Sequence, residues 1–145
     1  MFYNQLFSLY LSLYREDVFM TFLLVDDQRP ARNILRNSMP ELGISRSYNF
    51  LEAENGEDAL KLIQEHPVDF VFLDWNLNKE TTGLDVLKEI RKIEKCKNVP
   101  VVMVSSDNDK TKVIEALKCG ANDYVIKPID WKVLREKVQK ILKPS

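Results

Sequence analysis

Five side chains in this sequence could do chemistry together if the chain brought them to one place. Asp26 and Asp27 stand side by side after the apolar run TFLLV (21–25), and Asp74 closes DFVFLD (69–74). Ser105, followed by Ser106, ends VPVVMVSS (99–106), and Lys127 closes DYVIK (123–127) just before Pro128. Taken singly, each has an ordinary account. A carboxylate such as Asp27 favours a nearby helix N-terminus, Asp74 reads as a loop aspartate, Ser105 as a strand-end hydroxyl and Lys127 as a solvated lysine. Together they are an acidic cluster with one ammonium and one hydroxyl. Two like charges about 4 Å apart repel by roughly 4 kcal/mol at an effective dielectric near 20, so paired aspartates at a buried strand end call for a cation. Oxygen-rich sets of this kind suit Mg²⁺, which is held by one or two carboxylates with water and phosphate oxygens. With the repulsion offset, one carboxylate can act as a nucleophile and form an acyl phosphate. Phosphoryl transfer asks mainly for positioning and charge neutralisation, which a metal on one side and a lysine on the other supply.

The elements around these residues predict that they do converge. From Thr21 onward five apolar runs, including NFLEA (49–53), alternate with amphipathic stretches. Three runs are unbroken Val/Ile/Leu/Phe blocks, the mark of strands covered on both faces in a parallel sheet, whereas NFLEA alternates like an edge strand. Of the helical stretches, PARNILRNSMPEL turns Ala31, Ile34, Leu35 and Met39 to one face, with Pro30 suited to the first turn and Pro40 set to end or kink the helix. NGEDALKLIQEH places Asn55 as a cap and Ala59, Leu60, Leu62 and Ile63 inward. Leu84, Val86, Leu87 and Ile90 define the third inner face, Val113, Ile114 and Leu117 the fourth, and Leu134, Val138 and Ile141 the fifth, with Gly120 at a helix C-terminus. Alternating βα units joined by right-handed crossovers put helices on both faces of one doubly wound α/β sheet. Such sheets bind ligands at the carboxyl ends of their strands, where all five residues fall.

The whole-chain properties fit one domain with a real core: 145 residues, 45% hydrophobic and 30% charged. The 21 basic and 22 acidic residues nearly cancel, and no Lys/Arg run tracks a phosphate backbone, which speaks against direct nucleic-acid binding. Cys96 and Cys119 lack a CxxC or metal-ligand spacing and read as reduced thiols of a cytoplasmic protein. Residues 1–20 carry no charge until Arg15 and are rich in Phe, Tyr and Leu, yet have neither a basic start nor a small-residue cleavage site. Their Ser, Asn and Gln content makes them too polar, and their length too short, for a membrane span.

The motifs LLVDD, VFLDWN, VMVSS and YVIKP, in this order and spacing, resemble the receiver domain of two-component response regulators, especially the stand-alone chemotaxis (CheY-like) type. The resemblance covers Thr21 to about Leu142 and implies a five-stranded, flavodoxin-like (βα)5 sheet of order 2-1-3-4-5. It implies that Asp74 accepts a phosphoryl group from a sensor histidine kinase or phosphotransfer protein. Asp27, Asp74 and the Asn76 backbone carbonyl would bind Mg²⁺, with Asp26 acting through water. Lys127 would stabilise the phosphoryl group, Ser105 and Tyr124 would form the switch pair, and the Lys127–Pro128 bond would be cis. Such a protein is a phosphoacceptor switch, not an enzyme in the usual sense. Nothing after KILKPS reads as an output domain, so the signal is expected to pass to a target protein through the face of the fourth helix, fifth strand and fifth helix, with Lys118, Lys132 and Arg135 as candidate surface residues.

Two rivals have weaker support. A pseudo-receiver that binds partners without phosphorylation usually lacks an acidic ligand or the lysine, and here all are present. A flavodoxin-like electron carrier or a nucleotide enzyme needs a phosphate-cradling loop, whereas the position after strand one holds two aspartates and no GxGxxG or Walker loop occurs. His66, the single histidine, sits before Pro67 at a helix end and is not expected to donate phosphate. Trp75 is expected to be exposed beside the site, and Trp131 to cover a helix flank. One departure from the family concerns DWNLNKETTG: Asn78 stands where a proline is usual, and Gly83 falls nine residues after Asp74 instead of eight, so the loop should be one residue longer. The chain is thus read as an apolar, helical extension (1–20) and a receiver domain (21–145). Leu6, Leu9, Tyr10 and Leu13 form a stripe in the extension that packs either on its own domain or in a homodimer contact.

Overall fold

A computed structural model describes residues 3–9 and 19–143. Five strands, β1 (Phe19–Val25), β2 (Ser47–Ala53), β3 (Phe70–Leu73), β4 (Val101–Ser105) and β5 (Asp123–Ile126), form one parallel sheet of order β2-β1-β3-β4-β5. Between and after them run α1 (Arg29–Asn37), α2 (Gly56–Glu65), α3 (Gly83–Lys92), α4 (Lys110–Lys118) and α5 (Trp131–Leu142). The fold is therefore the doubly wound, flavodoxin-like sheet expected from the resemblance.

The period of two along the strands divides the core. Leu23, Val25, Val71, Leu73, Val101 and Met103 face α2, α3 and α4, while Phe22, Leu24, Phe70, Phe72, Val102 and Val104 face α1 and α5. Because both faces are covered, β3 is apolar throughout and the only polar residues of β1 and β4, Thr21 and Ser105, are themselves buried, which is why these strands read as nearly continuous apolar blocks. Phe22, Phe70 and Phe72 are almost wholly buried, each worth about 1.5–3 kcal/mol relative to exposure. β2, at the sheet edge, is half-buried along most of its length.

Local punctuation follows the sequence. Pro30 lies in the first turn of α1, which stops at Asn37, and Pro40 opens a separate 3₁₀ turn, Met39–Leu42. The Asn55 side chain accepts from the Asp58 N–H at 2.8 Å and caps α2. Gly120, at φ +103, takes the left-handed conformation just beyond α4. The Lys127–Pro128 bond is cis.

Three inward assignments are corrected. Ile34 on α1 is 54% exposed, and Ile114 and Leu117 on α4 are 52% and 45% exposed. In α1 the inner position next to Leu35 is taken by Arg32, which is buried, so the apolar stripe is rotated away from Ile34. α4 offers the sheet only a narrow line through half-buried Val113 and buried Ala116, leaving its other apolar side chains on the outer flank. Residues 3–9 are helical, with Tyr3, Leu6, Phe7 and Leu9 exposed; Tyr10 and Leu13 of the expected stripe lie outside the described residues. Among the described residues no helix is long and apolar enough to cross a membrane.

Candidate functional site

The carboxyl ends of β1, β3, β4 and β5 share one rim, and the sequence places a polar residue at each. Asp26 and Asp27 follow β1, Asp74 follows β3, Ser105 ends β4, and Lys127 follows β5. Carboxylate oxygens of Asp26, Asp27 and Asp74 lie within 4.8 Å of one another, Asp26 and Asp74 buried and Asp27 exposed. The Lys127 ammonium reaches Asp26 Oδ2 at 2.8 Å and Asp74 Oδ2 at 3.3 Å. It is the positive group that adjacent strand-end carboxylates require. It does not complete the balance, because three carboxylates against one ammonium leave two negative charges uncompensated.

The two buried acids are held from their backbones. Asp26 N–H donates to Ala53 O of β2 and Asp74 N–H to Val25 O of β1, so the ladder fixes both strand ends. Asp26 Oδ1 accepts from the Gln28 N–H at 2.9 Å, and Asp74 Oδ1 from the Asn76 N–H at 3.3 Å. Burial, then the Asp26 charge, pushes the Asp74 carboxyl above its ordinary value against the pull of Lys127. Burial and the same neighbour also raise Asp27. Burial opposes the charge on Lys127, but its hydrogen bond to Asp26 and the charges of Asp74 and Asp26 outweigh that and hold its pKa above the ordinary value. Two raised carboxyls beside a lysine mark a site short of positive charge. The donor set of hard oxygens, with a net double negative charge, fits a divalent cation such as Mg²⁺. Asn76 is exposed at the same rim.

Behind the acids, Ser105 is fully buried and its Oγ accepts from the Asp107 N–H at 3.2 Å. Tyr124 is buried with its hydroxyl donating to Asp107 O at 2.9 Å, and burial pushes the phenol above its ordinary value. Ser105 and Tyr124 therefore meet through one residue of the β4–α4 loop.

Trp75 was expected to be exposed and is not. It is 6% exposed and packs into the core beneath α3, because the loop after β3 returns over it. In that loop Gly83 falls nine residues after Asp74. Asn76 and Thr82 form an antiparallel bridge, and Asn78, in place of a proline, accepts from the Glu80 and Thr81 N–H groups at 2.8 and 2.6 Å. Gly83 N–H then donates to Trp75 O at 2.6 Å, and Thr82 caps α3 with Asp85. Trp131 is half-buried and shares a groove with Ile34, Leu35, Lys127 and Pro128.

Sequence reading missed Arg32. Buried at 5% exposure, it donates to the Asp26 backbone carbonyl at 2.6 Å and pairs with Glu52 at 3.1 Å and Glu54 at 3.5 Å. Its place three residues before Leu35, on the inner face, was the available signal. Asp107 and Lys112, which close the loop beside Tyr124, gave none.

A family model of the response regulator receiver domain matches residues 22–139. The chemotaxis protein CheY of Pseudomonas aeruginosa is 38% identical over 122 residues, 84% of this chain and 95% of that protein. The chemotaxis protein CheY1 of Helicobacter pylori is 37% identical over 124 residues, 85% and 97% of the two chains. Among solved structures, a putative response regulator from Chloroflexus aurantiacus aligns with a TM-score of 0.75 at 29% identity, covering 85% of this chain and 97% of that one. A two-component response regulator from Clostridium difficile aligns with a TM-score of 0.74 at 28% identity over 86% and 97%.

Proposed function

The chain belongs to the response regulator receiver family, and from that premise we propose that it is a cytoplasmic, Mg²⁺-dependent phosphoacceptor that receives its phosphoryl group on Asp74 from a histidine kinase or phosphotransfer protein. The observation that carries this reading is the convergence of Asp26, Asp27 and Asp74 within 4.8 Å beside Lys127. Asp27, Asp74 and the Asn76 carbonyl would hold the cation, with Asp26 acting through water. When bound, the cation offsets the clustered negative charge and screens the phosphoryl oxygens.

An Asp74 oxygen attacks phosphorus while the bond to the donor nitrogen breaks, and the electron pair leaves with the imidazole. Lys127, already bridging Asp26 and Asp74, is within reach of an equatorial oxygen on the transferred group and neutralises it. Ser105 accepts from Asp107 N–H and so keeps its own hydrogen to donate to another oxygen. Tyr124, turned inward behind it, follows that movement. The output surface is the flank of α4, β5 and α5. There Ile114, Leu117, Ile126 and Val133 are exposed, as are Lys118 and Lys132, apolar and basic side chains suited to a target protein; Arg135 is turned to the other side of α5, its guanidinium beside Gly43. β1 begins at Phe19 and takes Met20 into the core, so the segment ahead of the domain is residues 1–18, which carry none of the proposed site residues. Every acidic ligand and the lysine being present, no observation favours a phosphorylation-independent module.

Incubation with acetyl phosphate, followed by intact-mass measurement, tests the reading. One added phosphoryl group in the presence of Mg²⁺, and none after chelation, is expected. Equal modification with and without the cation would contradict it.

A further inference from the structure

Lys112 occupies a costly position. It is the third residue of α4, where a cation opposes the helix dipole, and the first turn carries no acidic residue to offset it. Its ammonium pairs with Asp107 Oδ2 and lies over the Trp75 ring, 5.5 Å from the centroid, within cation–π range. Asp107 is the residue on which the switch pair converges. Its N–H donates to Ser105 Oγ, its carbonyl accepts from the Tyr124 hydroxyl, and its Oδ1 accepts from the Asp109 N–H at 3.1 Å. Trp75, at the other end of the bracket, directly follows Asp74 and is pinned by Gly83 through its carbonyl.

We infer that Lys112 is a positioning residue for the switch: clamped between the Asp107 carboxylate and the Trp75 ring, it holds the β4–α4 loop where Tyr124 is turned inward and the Ser105 hydroxyl keeps its hydrogen for a phosphoryl oxygen. The inference rests on the phosphoacceptor reading of Asp74 and deepens it. Without the bracket, Asp107 retains its backbone bonds but loses the side-chain tie to α4 and Trp75. The loop then samples arrangements in which Ser105 and Tyr124 are not held together, and a ligand that needs them together binds only the competent fraction. A local rule broken by a half-buried lysine, whose ammonium is held by Asp107 and Trp75 and further offset by the N-cap Asp109, is the pattern of a functional position.

The probe is beryllofluoride, a phosphoryl analogue, with Mg²⁺, and its affinity for the full-length protein is measured by calorimetry. Lys112→Met keeps the side-chain length over Trp75 but removes the charge, and is expected to weaken binding roughly three- to tenfold. Lys112→Arg, which can both pair with Asp107 and stack on the indole, is expected to bind as the parent does. Asp107→Asn should show the same loss as Lys112→Met, and the double variant no further loss, because the two side chains act as one unit. Equal affinity of Lys112→Met and the parent, failure of Lys112→Arg to restore binding, or losses that add in the double variant would overturn the inference. A parent protein that binds no beryllofluoride would instead refute the phosphoacceptor reading, and the bracket's role with it.

Discussion

Gly83→Ala should be among the most damaging single-methyl additions in the protein, although Gly83 adopts no unusual backbone angle. A Cβ there would lie 2.0 Å from the Asp74 carbonyl oxygen, 2.8 Å from its carbonyl carbon and 2.9 Å from Trp75 Cα. An ordinary carbon–oxygen contact is about 3.3 Å, so α3 and the end of β3 must part by roughly 1 Å. All three contacts are backbone, and no rotamer change can relieve them. The displacement also breaks the 2.6 Å bond from Gly83 N–H to Trp75 O. Overpacking of this kind costs about 1–3 kcal/mol and the lost hydrogen bond about 0.5–1.5 kcal/mol, together roughly 2–4 kcal/mol. For a domain of this size that lowers Tm by roughly 5–15 °C in scanning calorimetry. The peptide that moves carries Asp74, and a shift near 1 Å can cost about 100-fold in a positioned reaction, so acetyl phosphate should modify the variant far more slowly at a temperature where it is folded. A Tm within about 2 °C of the parent, with an unchanged rate, would refute the close packing of Gly83 against the acceptor peptide.

Two further outcomes follow from the site and the extension. Burial and Asp26 raise the Asp27 carboxyl, so folding takes up a proton between the unfolded and folded values, and the charged form weighs against the fold at all higher pH. Asp27→Asn should therefore raise Tm by about 1–2 °C at neutral pH without divalent cations, a gain that vanishes as pH falls below the ordinary carboxylate range, where both side chains are neutral; a gain that grows on acidification would contradict this. Deleting residues 1–18, which leaves β1 whole from Phe19, should preserve Mg²⁺-dependent phosphorylation, since all the proposed site residues lie beyond it. Light scattering of the two forms reads the extension's role: a dimer that becomes monomeric assigns it to self-association, and an unchanged subunit number removes that contact.

The sheet was legible because burial on both faces leaves β3, and β1 from Phe22 onward, as unbroken apolar runs, and because the polar residue closing each run marks its carboxyl end. Four such closures put Asp26, Asp74, Ser105 and Lys127 at the carboxyl ends of parallel strands, and hence on one rim. What sequence periodicity missed has a common cause. In α1 the inner face includes a charged residue, since Arg32 finds its partners in Asp26 O, Glu52 and Glu54, and a hydrophobic stripe drawn through Ile34 cannot anticipate that. In α4 the apolar residues outnumber the positions the sheet can cover, which left Ile114 and Leu117 outside. Trp75 was misjudged because its burial depends on the return of a seven-residue loop between it and Gly83, a tertiary event with no local signature. The Lys112–Asp107–Trp75 bracket likewise joins α4, its preceding loop and the end of β3.

The most direct test of the phosphoacceptor account is the intact mass of Asp74→Asn beside the parent after incubation with acetyl phosphate and Mg²⁺. The substitution keeps the size of the side chain and its carbonyl oxygen but removes the carboxylate nucleophile. The account predicts one phosphoryl group on the parent and none on the folded variant. A variant modified as readily as the parent would contradict it, because the phosphoryl group would then reside on a residue other than Asp74.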